Sequence, residues 1–314
     1  MIHTHVHTKY SLRDSIIDYD DLINRLKSIN QNAIAITDHG NIHASVSIYK
    51  RLKKENIKYI HGCEMYICDD TNIKDQNNKY YHLVLLCKNE TGRINLNKLI
   101  SISNLSENFY SKPRIDFEKL KQHKDGLLVL SACLAGEISK FLLIDDYEKA
   151  KEIALKYKNE FGNDYYLEIQ ARNDNKQIEI NKKIIALAKE LDISIVVTTD
   201  AHFVTKEDKK YHDVYSFNSS YKEEGEGYID CYIQSEEEIR NNLAYLDAEI
   251  ISQAINNTHE IANKCNVELP LSAPIIPHID IPSQYSNEKE WVIDICQKGF
   301  EERGINKLPE KERK

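Results

Sequence analysis

The sequence has no run of about 18 apolar residues, the length a helix needs to cross a bilayer. Its opening, Met1-Ile2-His3-Thr4-His5, has neither the basic nor the apolar segment of a secretion signal. These absences predict a cytoplasmic chain with no membrane partner. Among its seven cysteines there is no Cys-x-x-Cys pair, which argues against a disulfide framework and a zinc knuckle and predicts mostly reduced core thiols. There is no basic excess either. The formal net charge of -8 argues against broad nonspecific duplex binding, which needs a basic stripe to displace counterions from phosphates. A metal site reverses that sign locally, because bound divalent cations can be the largest charges in a cleft. No internal repeat or low-complexity tract interrupts the chain.

With 41% hydrophobic and 29% charged residues, the chain can bury a sizeable core. Short β-branched apolar runs alternate with longer amphipathic stretches, the pattern of repeated βα units round a parallel sheet or barrel. The spacing predicts strands at 2–7, 33–37, 59–62, 82–87, 127–130, 165–169 and 193–198, with helices at 20–29, 44–55, 91–105, 147–161 and 178–191. Beyond these units, helical patterns at 206–221, 235–246 and 248–265 lead to a Pro-punctuated segment, 269–282, that reads as a linker. A last amphipathic helix, 288–303, carries Trp291, Val292, Ile295, Cys296 and Phe300 on one face, with Gly304 as its stop. The tail after it is charged.

Metal-competent side chains fall at the expected strand ends. Thr37-Asp38-His39-Gly40 follows one strand, Gly62-Cys63-Glu64 another, Ser131-Ala132-Cys133 a third and Thr199-Asp200-Ala201-His202 a fourth. In α/β barrels the loops after the strands converge on one face, where active sites are built. The opening His3-Thr4-His5-Val6-His7 puts three imidazoles on one side of an extended strand, because side chains alternate with period two. A mixed nitrogen and oxygen set suits Zn, Mn or Fe, and carboxylates that bridge favour clusters of two or more ions. Lys112 and Arg114 are candidate substrate-phosphate contacts, since guanidinium grips phosphate with two hydrogen bonds; Arg172 is a weaker candidate. His3 reads as a supporting residue rather than a ligand, and nothing requires His43, His61 or His212 as ligands.

His3-Thr4-His5-Val6-His7-Thr8, with Asp14 seven residues past His7, and Ala35-Ile36-Thr37-Asp38-His39-Gly40-Asn41 resemble the first two signature motifs of the PHP (polymerase and histidinol phosphatase) family. Gly62-Cys63-Glu64-Met65-Tyr66, Lys112-Pro113-Arg114-Ile115-Asp116, Leu130-Ser131-Ala132-Cys133-Leu134-Ala135-Gly136-Glu137 and Thr199-Asp200-Ala201-His202-Phe203 are similar, in order and spacing, to its polymerase branch, the bacterial DNA polymerase III alpha subunits. The resemblance covers most of the chain. It implies an α/β fold, a distorted (β/α)7 TIM-like barrel with a C-terminal helical extension. It implies a domain over 1–268 and, over 269–314, a linker and helix leading toward a polymerase core absent from this chain. The family's nine metal-binding places correspond to His5, His7, Asp14, His39, Glu64, His82, Cys133, Asp200 and His202. They would hold two or three divalent ions, with Glu64 bridging two.

The function so implied is a metal-dependent phosphoesterase hydrolysing DNA phosphodiesters at a 3′ end, a 3′–5′ exonuclease serving proofreading in DNA replication. The polymerase core or other replisome subunits would bind the C-terminal helix. DNA synthesis is not expected, because no polymerase aspartates are recognisable. Two alternatives stand beside this: a free-standing phosphatase of a small monoester, histidinol-phosphatase-like, and a noncatalytic module whose metals stabilise a replicase. Ala132 departs from the family, standing where many relatives have glycine next to Cys133.

Overall fold

Residues 1–76, 80–216, 228–271 and 277–312 are described by the structure, a computed structural model. Seven strands form the sheet: β1 (Ala33–Ile36), β2 (Lys58–Cys68), β3 (Tyr81–Cys87), β4 (Arg114–Asp116), β5 (Leu127–Leu130), β6 (Tyr165–Gln170) and β7 (Ile195–Thr198). Their order is β1-β2-β3-β5-β6-β7, with β4 pairing β2 off this path. The N-terminal segment closes the ring. His3 bridges Ile34 of β1 and Val6 bridges Ala201 just past β7, both in parallel register. The result is a distorted (β/α)7 barrel.

Among the described residues ten α-helices pack around it: α1 (Tyr19–Ser28), α2 (Ser45–Lys54), α3 (Glu90–Ser103), α4 (Phe117–Gln122), α5 (Glu137–Leu143), α6 (Tyr147–Phe161), α7 (Asn175–Leu191), α8 (Lys209–Ser216), α9 (Glu236–Asn242) and α10 (Ala248–Lys264). Their starts are written in the sequence. The side chains of Asp18, Asn89, Asp116, Asp146, Asp174, Ser235 and Asp247 each accept a backbone N–H of the helix they precede, satisfying donors that have no partner within the helix.

The expected all-parallel pattern is corrected at β3, which runs antiparallel to both β2 and β5. An apolar run of seven residues reads the same in either direction, so the reversal leaves no periodic signal. β4, α4 and α5 are additional short elements. The expected strand at 2–7 is replaced by two single bridges, at His3 and Val6, with a bend at His5 between them, and β2 continues to Cys68, beyond the expected end at Gly62. Of the helical pattern at 206–221, residues 209–216 form α8, and 217–221 lie outside the described residues.

Period-two alternation sorts the core. Cys63, Met65, Leu83, Leu85, Leu127, Val129, Leu167, Ile169 and Val197 join the cluster beneath the outer helices. Ile60, Val84, Leu86, Leu128, Leu130, Tyr166 and Val196 pack together with Ile261, Ala262 and Cys265 at the end of α10. That second set is the barrel interior. α10 crosses the strand starts, where Thr258 Oγ1 accepts Ile2 N–H (2.9 Å) and Asn257 Nδ2 donates to Ile195 O (2.6 Å). Followed toward the other end, the inward-facing parity passes from Ile60 to Glu64, from Val84 to His82, from Tyr166 to Glu168 and from Val196 to Asp200. One end of the barrel is therefore apolar and the other polar.

The chain divides into two compact units, Met1–Leu269 and Pro270–Lys314. The second contains α11 (Glu288–Glu302), capped by the Asn287 side chain and followed by Gly304 at φ +68, the left-handed stop that glycine favours. Trp291 lies 6.4 Å from the Tyr285 ring, and α11 buries none of its residues. No helix among the described residues is long and apolar enough to cross a membrane.

Candidate metal centre

The polar end is the mouth where the parallel strands finish. His39 follows β1, Asp200 and His202 follow β7, and Cys133 follows β5. His82 reaches the same end because β3 is reversed: its second residue, not its last, faces the mouth. Glu64 lies within β2 rather than at its end, and it is level with the rim because His39, just past β1, bridges it. Gly62 lets β2 pass tightly, since a Cβ there would sit 2.6 Å from Leu86 Cδ2.

Glu64 is the hub. Its Oε1 lies 3.1 Å from His5 Nε2, 3.2 Å from His82 Nδ1 and 3.9 Å from Cys133 Sγ; its Oε2 lies 2.7 Å from His39 Nδ1 and 3.5 Å from His7 Nε2. Asp200 Oδ1 lies 3.2 Å from both His5 Nε2 and His7 Nε2. Asp14 Oδ2 lies 2.5 Å from His39 Nε2 and 3.2 Å from His202 Nε2. Cys133 Sγ is 3.5 Å from His82 Nδ1. All nine sequence-predicted ligand positions thus share one cluster. Three overlapping triplets, His7/His39/His202, His5/His7/Asp200 and His39/Glu64/His82, each bring their ligand atoms within 4.8 Å of one another.

The surroundings orient these rings. His5 Nδ1 donates to Glu168 Oε1 (2.8 Å) and His202 Nδ1 to the Asp200 carbonyl (2.7 Å), since neither oxygen can donate. Ser11 Oγ donates to Asp38 Oδ1 (2.8 Å), so it accepts from His7 Nδ1 (3.0 Å). In each case the protein fixes Nδ1 as donor and turns Nε2 toward the cluster, the usual support behind ligating histidines.

The imidazoles and carboxylates of the cluster hold one another's charges. Burial lowers the pKa of His5 and His39, yet the carboxylates outweigh it, Glu168 and Asp200 for His5 and Glu64 and Asp14 for His39, so both are raised well above the ordinary value; His202 is raised likewise by Asp14 and Asp200. His7 is pushed down to about 3 by burial and by His39 and His202. Against burial, the imidazoles hold Asp14, Glu64 and Asp200 below the usual carboxylate range. Burial, with Asp200 and Glu64, keeps the Cys133 thiol protonated.

These charges remain incompletely satisfied. Glu64 Oε2 and His39 Nδ1 lie 2.7 Å apart without hydrogen-bond alignment, and both, with Asp200 Oδ1, are buried with no hydrogen-bond partner among the described residues. Orphaned buried acceptors are costly. A converging set of imidazole nitrogens, carboxylate oxygens and one thiol is the donor chemistry of a divalent-cation site, so the residues fit such ions.

Arg114 corrects the expected phosphate contact. It is fully buried, its Nε donating to Asn108 O (3.3 Å) and its Nη atoms to the carbonyls of Ile73 and Thr71 (3.2 Å). Its planar fork binds backbone loops instead of substrate. Lys112 has its Nζ 5.3 Å from the Tyr66 ring, which stacks on His39 at 5.8 Å. Arg172 is better placed. It lies just past β6 with Nε on Asp174 Oδ2 (3.1 Å), and no partner engages its two terminal NH2 groups among the described residues. Burial disfavours its charge, but Cys231, Asp174, Asp200 and Cys133 raise its pKa overall.

His3 supports from behind, with Nε2 3.0 Å from Gln234 O and Nδ1 3.1 Å from Thr199 Oγ1. His61 pairs with Tyr59 OH, away from the cluster. Sequence reasoning missed Glu168, although a carboxylate inside the apolar run Tyr165–Gln170 was a usable signal. It also missed Tyr228, whose hydroxyl donates to Asp14 Oδ1 (2.5 Å); that contact spans over two hundred residues and leaves no local pattern.

The PHP domain family model matches residues 3–172. The DNA polymerase III subunit alpha of Borreliella burgdorferi is 35% identical over 97% of this chain and 27% of its own length; that of Treponema pallidum is 34% identical over 96% and 26%. The chain thus spans about a quarter of the length of the curated relatives it matches. Among solved structures, an amidohydrolase from Chromobacterium violaceum aligns with a TM-score of 0.42 and 11% identity, covering 64% of this chain and 87% of that one.

Proposed function

Because the chain belongs to the PHP domain family, we propose that its barrel mouth is a multinuclear metal-dependent phosphoesterase that removes nucleotides from DNA 3′ ends, a 3′–5′ exonuclease serving a replicative DNA polymerase III alpha subunit in the cytoplasm. The observation that carries this reading is Glu64, a buried carboxylate touching five other metal-competent side chains while its Oε2 has no hydrogen-bond partner among the described residues. Two or three ions of Zn, Mn or Fe suit the set His5, His7, Asp14, His39, Glu64, His82, Cys133, Asp200 and His202. Bound there, they would supply Lewis-acid activation of water and neutralisation of charge at phosphorus.

The chain's own residues do the rest. Glu168, Ser11 and the Asp200 carbonyl hold His5, His7 and His202 with Nε2 turned inward. Arg172 offers its terminal NH2 groups to non-bridging phosphate oxygens, and Lys112 offers a further cation. The buried walls keep bulk water from the reacting bond.

The domain is assigned to 1–268, and the linker and helix over 269–314 are assigned to partner contact. Trp291, Ile295 and Phe300 of α11 would dock on a polymerase core or another replisome subunit. The experiment is manganese-dependent release of nucleotides from a 3′-labelled oligonucleotide by purified protein. Hydrolysis of a small phosphomonoester with no release from DNA would replace this reading with the histidinol-phosphatase-like one. No hydrolysis of either substrate would leave the noncatalytic module.

A further inference from the structure

Large apolar side chains that lie bare side by side mark a surface that binds something. In the first unit, four described large apolar residues are at least 60% exposed: Leu12 at 75%, Ile144 at 71%, Tyr211 at 60% and Val214 at 77%. Three of the four lie on one rim. Leu12 is in the loop between His7 and Asp14, and Tyr211 and Val214 are on α8. The two segments are joined, because Arg13 N–H donates to Tyr215 OH (3.0 Å). The inner face of α8 is anchored by buried His212, whose Nε2 is 2.6 Å from the Asp14 carbonyl. With His212 inward, Tyr211 and Tyr215, one helical turn apart, are both exposed, Tyr215 at 43%. Arg13 is exposed, sits at a left-handed φ of 64 and forms no ion pair among the described residues.

We propose that Leu12, Arg13, Tyr211 and Tyr215 form the seat for the unpaired terminal nucleotides of a single-stranded DNA 3′ end. This rests on the phosphoesterase reading and deepens it by naming what brings the strand to the centre. The Tyr215 ring, the open face of Tyr211 and the Leu12 side chain offer flat apolar surface to bases of any identity, while Lys210 Nζ, 4.8 Å from the Tyr211 ring centroid, covers that ring's other face and adds a cation. Arg13, next to Asp14, meets a backbone phosphate with its fork. The seat selects unpaired ends, because base pairing and stacking in a duplex hide the faces it would contact. It also supplies a local cation on a chain whose net charge is -8.

Fluorescence anisotropy of the manganese-loaded chain with a 5′-labelled oligothymidylate, made resistant by 3′ phosphorothioate linkages, tests the seat. Tyr215→Ala combined with Leu12→Ser should weaken binding on the order of 10-fold or more, and Arg13→Ala should flatten its salt dependence. Tyr211→Ala should likewise weaken binding, whereas Tyr211→Phe, which keeps the ring and leaves the Arg13–Tyr215 bond intact, should retain most of the affinity; equal loss in both Tyr211 variants would indicate damage to α8 and overturn the proposal. A blunt duplex should bind the wild type more weakly and be insensitive to these changes. Hydrolysis of bis(p-nitrophenyl) phosphate, measured in parallel, separates the two readings. If that hydrolysis occurs and oligonucleotide affinity is unchanged in the variants, the seat is refuted and the phosphoesterase stands. If affinity falls but wild type hydrolyses nothing, the seat stands and the phosphoesterase reading fails.

Discussion

Two of the places where this barrel buries charge do so in opposite ways. Arg114 is fully enclosed, and carbonyls of Asn108, Ile73 and Thr71 receive its donors. Glu64, equally enclosed, faces imidazoles and a thiol, and one of its oxygens has no hydrogen-bond partner among the described residues. The first arrangement is closed: it fixes two loops and needs nothing further. The second is open, since its carboxylates are balanced only by imidazole protons that a divalent cation can replace. Burial alone therefore does not separate architecture from function. What separates these two groups is how fully each is partnered.

The largest expected effect falls on the open cluster. On the proposed function, Glu64→Ala should reduce manganese-dependent hydrolysis on the order of 10³-fold or more, because several kcal/mol of transition-state stabilisation would pass through the ions it would hold. Metal content by mass spectrometry should fall with it. Retention of a tenth of the wild-type rate would break the comparison. Arg114→Met should do the reverse, lowering stability by about 3 kcal/mol in urea titrations, since several buried carbonyls lose their donor. The folded fraction should keep its full metal content; metal loss there would place Arg114 within the functional cluster.

Between these extremes lies Glu168, which touches His5 but not the other predicted ligands. Glu168→Gln leaves a side chain of the same size and should weaken metal affinity about 10- to 100-fold. Competition with a fluorescent chelator measures this. An unchanged affinity would mean that the carboxylate merely fills its place in β6.

How much of this was legible beforehand differs residue by residue. The pairing of His5 with His7 follows from strand alternation, and the helix starts follow from their Asp, Asn and Ser caps. The ligand set as a whole rested on resemblance, because no spacing rule brings Glu64, inside β2, to the level of His39. His82 was placed at the beginning of its strand, yet only the reversal of β3 explains why that beginning faces the mouth. Arg114 was misread for a physical reason. A sequence displays a charge but not the backbone carbonyls that will surround it, so a closed site and an open one look alike until the chain is folded.

His61 offers a smaller contrast within the same residue type. Burial pushes its pKa down to about 4, with Arg93 adding to the effect, so it is neutral in the folded chain at pH values where the unfolded chain takes up a proton. Its contribution is fully present above about pH 6.5 and is lost as pH falls toward 4. Urea titrations at pH 7.5 and 5 should show His61→Gln losing about 1–2 kcal/mol less than wild type over that step. An equal loss would mean that His61 is already charged in the fold, as His5 and His39 are.

The smallest effect concerns the turn that presents Cys133, where two small residues stand in different circumstances. Gly136 has no room for more, since a Cβ there would lie 2.2 Å from the Ser131 carbonyl oxygen. Ala132 does have room, is 1% exposed and sits at φ +63, a left-handed conformation that costs a non-glycine residue about 1–2 kcal/mol. Glycine would relieve that strain but would lose about 0.5–1 kcal/mol to backbone freedom and about 0.8 kcal/mol of methyl burial. These terms nearly cancel, so Ala132→Gly should change stability by less than about 1 kcal/mol and leave metal content intact. Ala132→Val keeps the strain and adds β-branching, and should cost about 2–3 kcal/mol. If glycine instead raises metal affinity while stability stays flat, the alanine displaces Cys133 from its best position, and the open cluster is held slightly out of shape by its own backbone.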